Sequence, residues 1–200
     1  GLKTSYSNYG TQIALMAPGG ASRTATYPST PLWSLSNTGT QGPVADTYVE
    51  ESGTSFAAPV VAGVASLMLS VNPALKPTEL MQRMRSSSRA HVSLTGIANN
   101  AGTTSSVSSC AAYNGTCNCT TSTCGAGLLD AGAALTAALN PAANIANIVS
   151  PAVSSAVTLD GRASGAVGAS VNTYLWTQTA GAAVSIPSPT SAQTTIQLPS

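Results

Sequence analysis

Three rhythms of hydrophobic and polar positions follow one another along the 200 residues. Ile13 to Met16 form a short unbroken apolar run stopped by Pro18, Gly19 and Gly20, the pattern of a buried strand of a parallel sheet with both faces covered. From Ala21 to Gly42 the chain is rich in Ser, Thr, Pro and Gly with Trp33 as its large anchor, which predicts a long surface loop; Asp46 to Ser52 follow as a short extended segment. Between Ser55 and about Ser70 small and apolar residues occupy every side of a 3.6-residue period, so this helix should be buried all round, with Gly63 allowing close packing. A second helix is predicted from Pro77, with Leu80, Met81 and Met84 on one apolar stripe, and a third after Asp130 as its N-cap, stopped by Asn140-Pro141.

Beyond Asn140 the period changes to two. Short extended runs such as "AVTLDG", "NTYLWTQ" and "TTIQLPS" alternate with Gly, Pro and Ser, and Tyr174 and Trp176 fall on one face of a strand. The chain therefore divides into a mixed α/β part, residues 1–140, and an all-β part, residues 141–200.

Charge narrows the functional classes. Seven basic and six acidic residues leave a net charge of +1, without the basic footprint that nucleic-acid binding requires. The longest apolar stretch, Ala57 to Leu69, is interrupted by Pro59, Gly63 and Ser66 and falls short of the roughly 18 residues of a membrane span, so no transmembrane helix is expected. Residues Gly1 onward show no signal peptide.

Cys110, Cys117, Cys119 and Cys124 crowd into one Ser/Thr/Asn/Gly-rich segment. The spacing lacks the paired knuckles of structural zinc sites, and the chain's one histidine, His91, lies nineteen residues upstream, which favours two disulfides over a zinc centre and implies an oxidising compartment. Three connectivities are open, and the expected bridges close a long insertion between the second helix and Gly125–Leu129.

The run Gly53-Thr54-Ser55-Phe56-Ala57-Ala58-Pro59-Val60-Val61-Ala62-Gly63 resembles the nucleophile motif of the subtilisin-like serine proteases. "SYSNYGTQIALMAPGG" and "CGAGLLDAGAAL" resemble, in order and spacing, that family's buried strand and its Gly-x-Gly strand with closing helix. The resemblance implies the C-terminal part of a three-layer α/β/α fold with a mainly parallel sheet. It also implies a secreted endopeptidase acting on polypeptides, with Ser55 as acyl-forming nucleophile and its backbone N–H as an oxyanion donor at a helix N-terminus. Ala57 replaces the second glycine of the Gly-x-Ser-x-Gly elbow, which disfavours an α/β-hydrolase.

The family's aspartate and histidine precede the serine, whereas here only Asp46, Glu50 and Glu51 are acidic before Ser55 and no histidine is. The family's oxyanion asparagine also lies upstream of the matched segment, and Asn8 does not stand in for it. The expectation is an internal piece of a larger protease, monomeric, inactive alone and without an identifiable cofactor. His91 reads as a loop histidine rather than a rearranged base, and Glu50 and Glu51 as a solvated pair, with a structural calcium site shared with other loops left open. Residues 144–200 resemble a PKD-type or immunoglobulin-like module. A secreted adhesion protein on a degenerate protease scaffold is the alternative reading.

Overall fold

The computed structural model describes residues 2–21, 31–93, 97–98, 104–105, 107, 109–110, 117–146, 148 and 151–199. In chain order the elements are β1 (Leu2–Lys3), β2 (Leu32–Asn37), β3 (Asp46–Glu51), α1 (Thr54–Val71), α2 (Pro77–Ser86), β4 (Ile97–Ala98), β5 (Thr104–Ser105), β6 (Cys117–Asn118), α3 (Thr121–Cys124), α4 (Ala131–Ala138), β7 (Ala156–Asp160) and β8 (Gln193–Gln197). They form two compact units, residues 1–66 with 83–134, and residues 67–82 with 135–200.

Among the described residues the strands pair as four two-stranded antiparallel sheets, β1–β6, β2–β3, β4–β5 and β7–β8, rather than as the expected mainly parallel sheet. The predicted strand at Ile13–Met16 is half-buried and is reduced to one parallel bridge, Met16 with Leu128. Its ladder is nevertheless regular: Ala126 N–H donates to Ala14 O (3.0 Å), Met16 N–H to Gly127 O (2.8 Å) and Leu129 N–H to Met16 O (2.7 Å). Arg89 bridges the other side of Leu128 antiparallel.

The predicted loop before Gly42 is in part a hairpin. Residues 22–30 lie outside the described residues, but β2 and β3 pair in full register from Leu32–Glu51 to Asn37–Asp46. Asn37 Oδ1 organises the turn by accepting from Gly39 N–H (2.8 Å) and Val44 N–H (2.7 Å). Serines at alternate positions hid the strand period of Leu32–Asn37 from a reading that weights turn-forming residues.

In the first unit the four cysteines form a buried cluster with Met16 packed on it. Nearby, Lys3 is buried; its Nζ donates to Thr4 O (2.9 Å) and Ser7 O (2.8 Å) and lies 5.5 Å from the centre of the Tyr9 ring. Burial pushes its pKa below the ordinary lysine value.

The second unit buries Met68, Leu75, Leu80, Ala138, Ala142 and Val157. Two buried asparagines tie its backbone. Asn72 Nδ2 donates to Ala138 O (3.0 Å) and Asn140 O (3.1 Å), holding the end of α4 and the residues just after it. Asn144 Nδ2 donates to Ala74 O (2.7 Å) and Ala163 O (3.2 Å).

No described residue after Ala138 is helical. The expected run of strands is reduced to β7 and β8, and Tyr174–Trp176 belongs to no strand. Period two holds there all the same: Tyr174 and Trp176 are half-buried and Leu175 is exposed. Both rings cover Gly161, where a Cβ would come within 3.1 Å of Trp176 and 3.3 Å of Tyr174. Trp176 Nε1–H donates to Ser191 O (2.7 Å).

On α2, Leu80 and Met84 are buried four residues apart, whereas Met81 is exposed, which narrows the predicted stripe. The larger departure is α1. Its sequence is apolar all round, yet within it only Val64 and Met68 are buried, and Gly63 has nothing within 4 Å of where a Cβ would lie. At 18 residues, α1 is by length and composition alone long and apolar enough to cross a membrane, a property that core helices share. Pro59, Gly63 and Ser66 interrupt the run chemically without ending the helix.

Candidate active site

Gly53-Thr54-Ser55 forms the entrance of α1, so Ser55 sits in the first helical turn and is exposed. Its backbone N–H is one of the first-turn donors for which an α-helix has no internal acceptor, a local arrangement suited to a developing anion. Pro59 is the sixth residue of α1 and has no N–H to return to the Ser55 carbonyl four residues earlier. The helix starts at Thr54, as the position of the proline suggests in the sequence.

The entrance is seated on the turn after Pro18. Gly53 N–H donates to Gly19 O (2.7 Å), and the Tyr6 hydroxyl is shared between Gly19 O (2.9 Å) and Gly20 O. The seat leaves no room for a side chain: a Cβ on Gly19 would lie 2.7 Å from the Gly53 carbonyl oxygen. Gly53 itself has φ +155°, a conformation that favours glycine at the helix entrance. The glycines of "APGG" and "GTS" thus meet in space. Sequence reasoning missed Tyr6, because nothing in the local pattern separates it from Tyr9 in the same polar segment.

The other candidate groups are engaged elsewhere. The His91 ring is half-buried, and its Nε2–H donates to Gly125 O (2.9 Å), since a carbonyl can only accept. Nδ1 is buried and has no partner among the described residues. Asp130 caps α4 as expected: its Oδ1 accepts from Ala133 N–H (3.0 Å), while Oδ2 lies 3.5 Å from Arg89 Nε. Glu50 is exposed and Glu51 half-buried, as consecutive strand residues that leave opposite faces.

The cysteines form two disulfides, Cys110–Cys117 and Cys119–Cys124, with Cα–Cα distances of 4.9 and 5.5 Å. They join residues 7 and 5 positions apart, so each closes a short loop rather than the long insertion expected. The Cys119–Cys124 bridge ends beside Gly125, whose carbonyl holds His91.

An exposed serine thus stands at a helix entrance seated on glycine, with a capped helix following later in sequence. Residues 1–127 match the subtilase family of peptidases, and the chain belongs to that family. It is 35% identical over 141 residues, 70% of its length, to an extracellular protease of Xanthomonas campestris pv. campestris, and covers 18% of that protein. It is 38% identical over 84 residues to an extracellular basic protease of Dichelobacter nodosus, 40% of this chain and 12% of that one. Among solved structures, proteases from Pseudoalteromonas arctica are 36% identical, with a TM-score of 0.49 over 68% of this chain and 32% of that one. The chain thus spans less than a fifth of the two curated relatives.

Proposed function

We propose that these residues are the nucleophile-bearing part of a secreted subtilisin-type serine endopeptidase, in which Ser55 Oγ attacks the scissile carbonyl of a polypeptide and forms an acyl-enzyme. The Ser55 backbone N–H donates to the oxyanion of the tetrahedral intermediate, and the Gly19–Gly53 seat holds the nucleophile on a rigid helix entrance. The observation that carries the reading is the subtilase match over 1–127 with Ser55 exposed in the first turn of α1. Relatives named extracellular proteases support secretion, and two disulfides agree with an oxidising compartment.

A serine without a base is a weak nucleophile, and Nε2 of the chain's one histidine is held by Gly125 O. The base and the orienting carboxylate come from further polypeptide, and the exposure of most of α1 supports packing of that polypeptide on this helix and completion of a three-layer α/β/α domain over residues 1–140. Residues 141–200 begin a PKD-type or immunoglobulin-like module, supported by β7–β8 and the Tyr174–Trp176 packing on Gly161.

A fluorophosphonate probe tests this. The protein extended in both directions along its reading frame should be labelled at Ser55 and should lose labelling and peptide turnover on Ser55→Ala. The 200-residue chain should show neither. Specific labelling of Ser55 in the chain alone would place a base within these residues, with His91 the first to substitute.

A further inference from the structure

The hairpin β2–β3 has one face turned inward and one outward. Leu32, Ser34 and Ser36 on β2 and Thr47, Val49 and Glu51 on β3 are half-buried, whereas Trp33, Leu35, Asp46, Tyr48 and Glu50 are exposed. A strand pair with one solvated face ordinarily places its polar residues there. Here the large apolar groups are outside: Trp33 is 67% exposed, Leu35 79% and Tyr48 67%. Register completes the pattern, with Trp33 opposite Glu50, Leu35 opposite Tyr48 and Asn37 opposite Asp46. Two aromatic rings and a leucine therefore share one open sheet face with two carboxylates.

The charges carried by the hairpin itself have one sign. Asp46, Glu50 and Glu51 are three of the chain's six acidic residues, and no Lys, Arg or His occurs between Arg23 and Lys76. Among the described residues neither Asp46 nor Glu50 forms an ion pair; the ion pairs lie at Asp130 and Asp160. Aromatic faces attract cations through their quadrupole, and a guanidinium stacked on an indole or phenol can bond a neighbouring carboxylate in its own plane.

We infer that the outer face of β2–β3 is a docking surface for a basic polypeptide segment, whose Arg or Lys side chains stack on Trp33 and Tyr48 and pair with Glu50 and Asp46. Phosphate-bearing partners are repelled by the same carboxylates. The inference deepens the proteolytic reading and rests on it for the identity of the partner: β3 runs through Gly53 directly into the helix entrance that carries Ser55, so the segment docked here belongs to a substrate rich in basic residues.

The test uses the 200-residue chain carrying Ser55→Ala and three dye-labelled peptides of equal length, alternating Ser with Arg, Gln or Glu, read by fluorescence anisotropy at low and high salt. The Arg peptide should bind saturably. Its affinity should fall severalfold with either Glu50→Gln or Asp46→Asn, about tenfold or more with Trp33→Ser, and markedly at high salt. Far-UV circular dichroism of each variant should match the parent, because all three side chains are exposed. Equal binding of the Gln peptide, preferential binding of the Glu peptide, or competition by a neutral oligosaccharide would overturn the inference. So would a dimer in sedimentation that Trp33→Ser dissociates, or saturable calcium binding that Glu50→Gln removes. The two readings fail separately. Loss of Arg-peptide binding leaves probe labelling of the extended protein intact, and loss of labelling leaves this binding intact.

Discussion

Alanine at Gly19 and at Gly63 adds the same methyl group to two glycines of the nucleophile-bearing region, and should move stability in opposite directions. At Gly19 the new Cβ would lie 2.7 Å from Gly53 O, 3.1 Å from Tyr6 Oη and 3.4 Å from Ala57 Cβ. The nearest atom is backbone and cannot rotate away. Overpacking of this kind costs about 1–3 kcal/mol. The displacement also stretches the 2.7 Å hydrogen bond from Gly53 N–H to Gly19 O, which contributes a further ~1 kcal/mol. The expected loss is therefore about 2–4 kcal/mol. At Gly63 nothing lies within 4 Å, and an alanine inside a helix gains about 0.8–1.0 kcal/mol over glycine. For a chain of this size 1 kcal/mol shifts Tm by about 2–4 °C, which predicts a fall of about 4–16 °C for Gly19→Ala and a rise of about 2–4 °C for Gly63→Ala. Both residues lie in the same compact unit, so one far-UV circular dichroism transition reports both. A Gly19→Ala variant melting within a degree of the parent would refute the seat of residues 51–53 on the turn after Pro18. A destabilising Gly63→Ala in this chain would mean that α1 is covered on that side. In an extended protein whose added polypeptide packs on α1, the sign at Gly63 should reverse.

Three further outcomes follow from the helix caps and the β7 turn. Lys76 is the N-cap of α2, its carbonyl accepting from Leu80 N–H (2.9 Å), and offers no side-chain acceptor; Lys76→Thr, with Glu79 three residues on, should add about 1 kcal/mol, and an unchanged Tm would show that no capping box forms. Asp130→Ala should cost about 1 kcal/mol and Asp130→Asn much less, because the cap to Ala133 N–H counts for more than the exposed pair with Arg89; equal losses in denaturant melts would give the ion pair the larger share. Asp160 accepts from the Arg162 side chain and backbone and from Gln193, which holds its carboxyl well below the ordinary carboxylate range. A depressed folded pKa gives stability that is present above the unfolded value of about 4 and is lost as pH falls below it, so Asp160→Asn should flatten the acid limb of a stability–pH profile. An unchanged acid limb would remove Asp160 from the account.

Much of this protein is written locally. The Gly53–Gly63 motif, the starts of α1 and α2 and the Asp130 cap were legible because helix period, capping and proline placement act within about a dozen residues. The alternation that seats Tyr174 and Trp176 on Gly161 was legible for the same reason. What tertiary structure alone decided involves partners distant in sequence, or neighbours among which local pattern does not choose. Pairing of the four cysteines is one such case, since spacing allows three connectivities and the buried cluster selects one. His91 on Gly125, Asn72 on the end of α4 and Gly53 on Gly19 are others, each joining segments 34 to 66 residues apart. Burial of α1 could not be read at all from its own residues. An apolar helix surface states that a cover is favourable, but the cover is a property of whatever else folds against it, and within these residues most of that surface stays open.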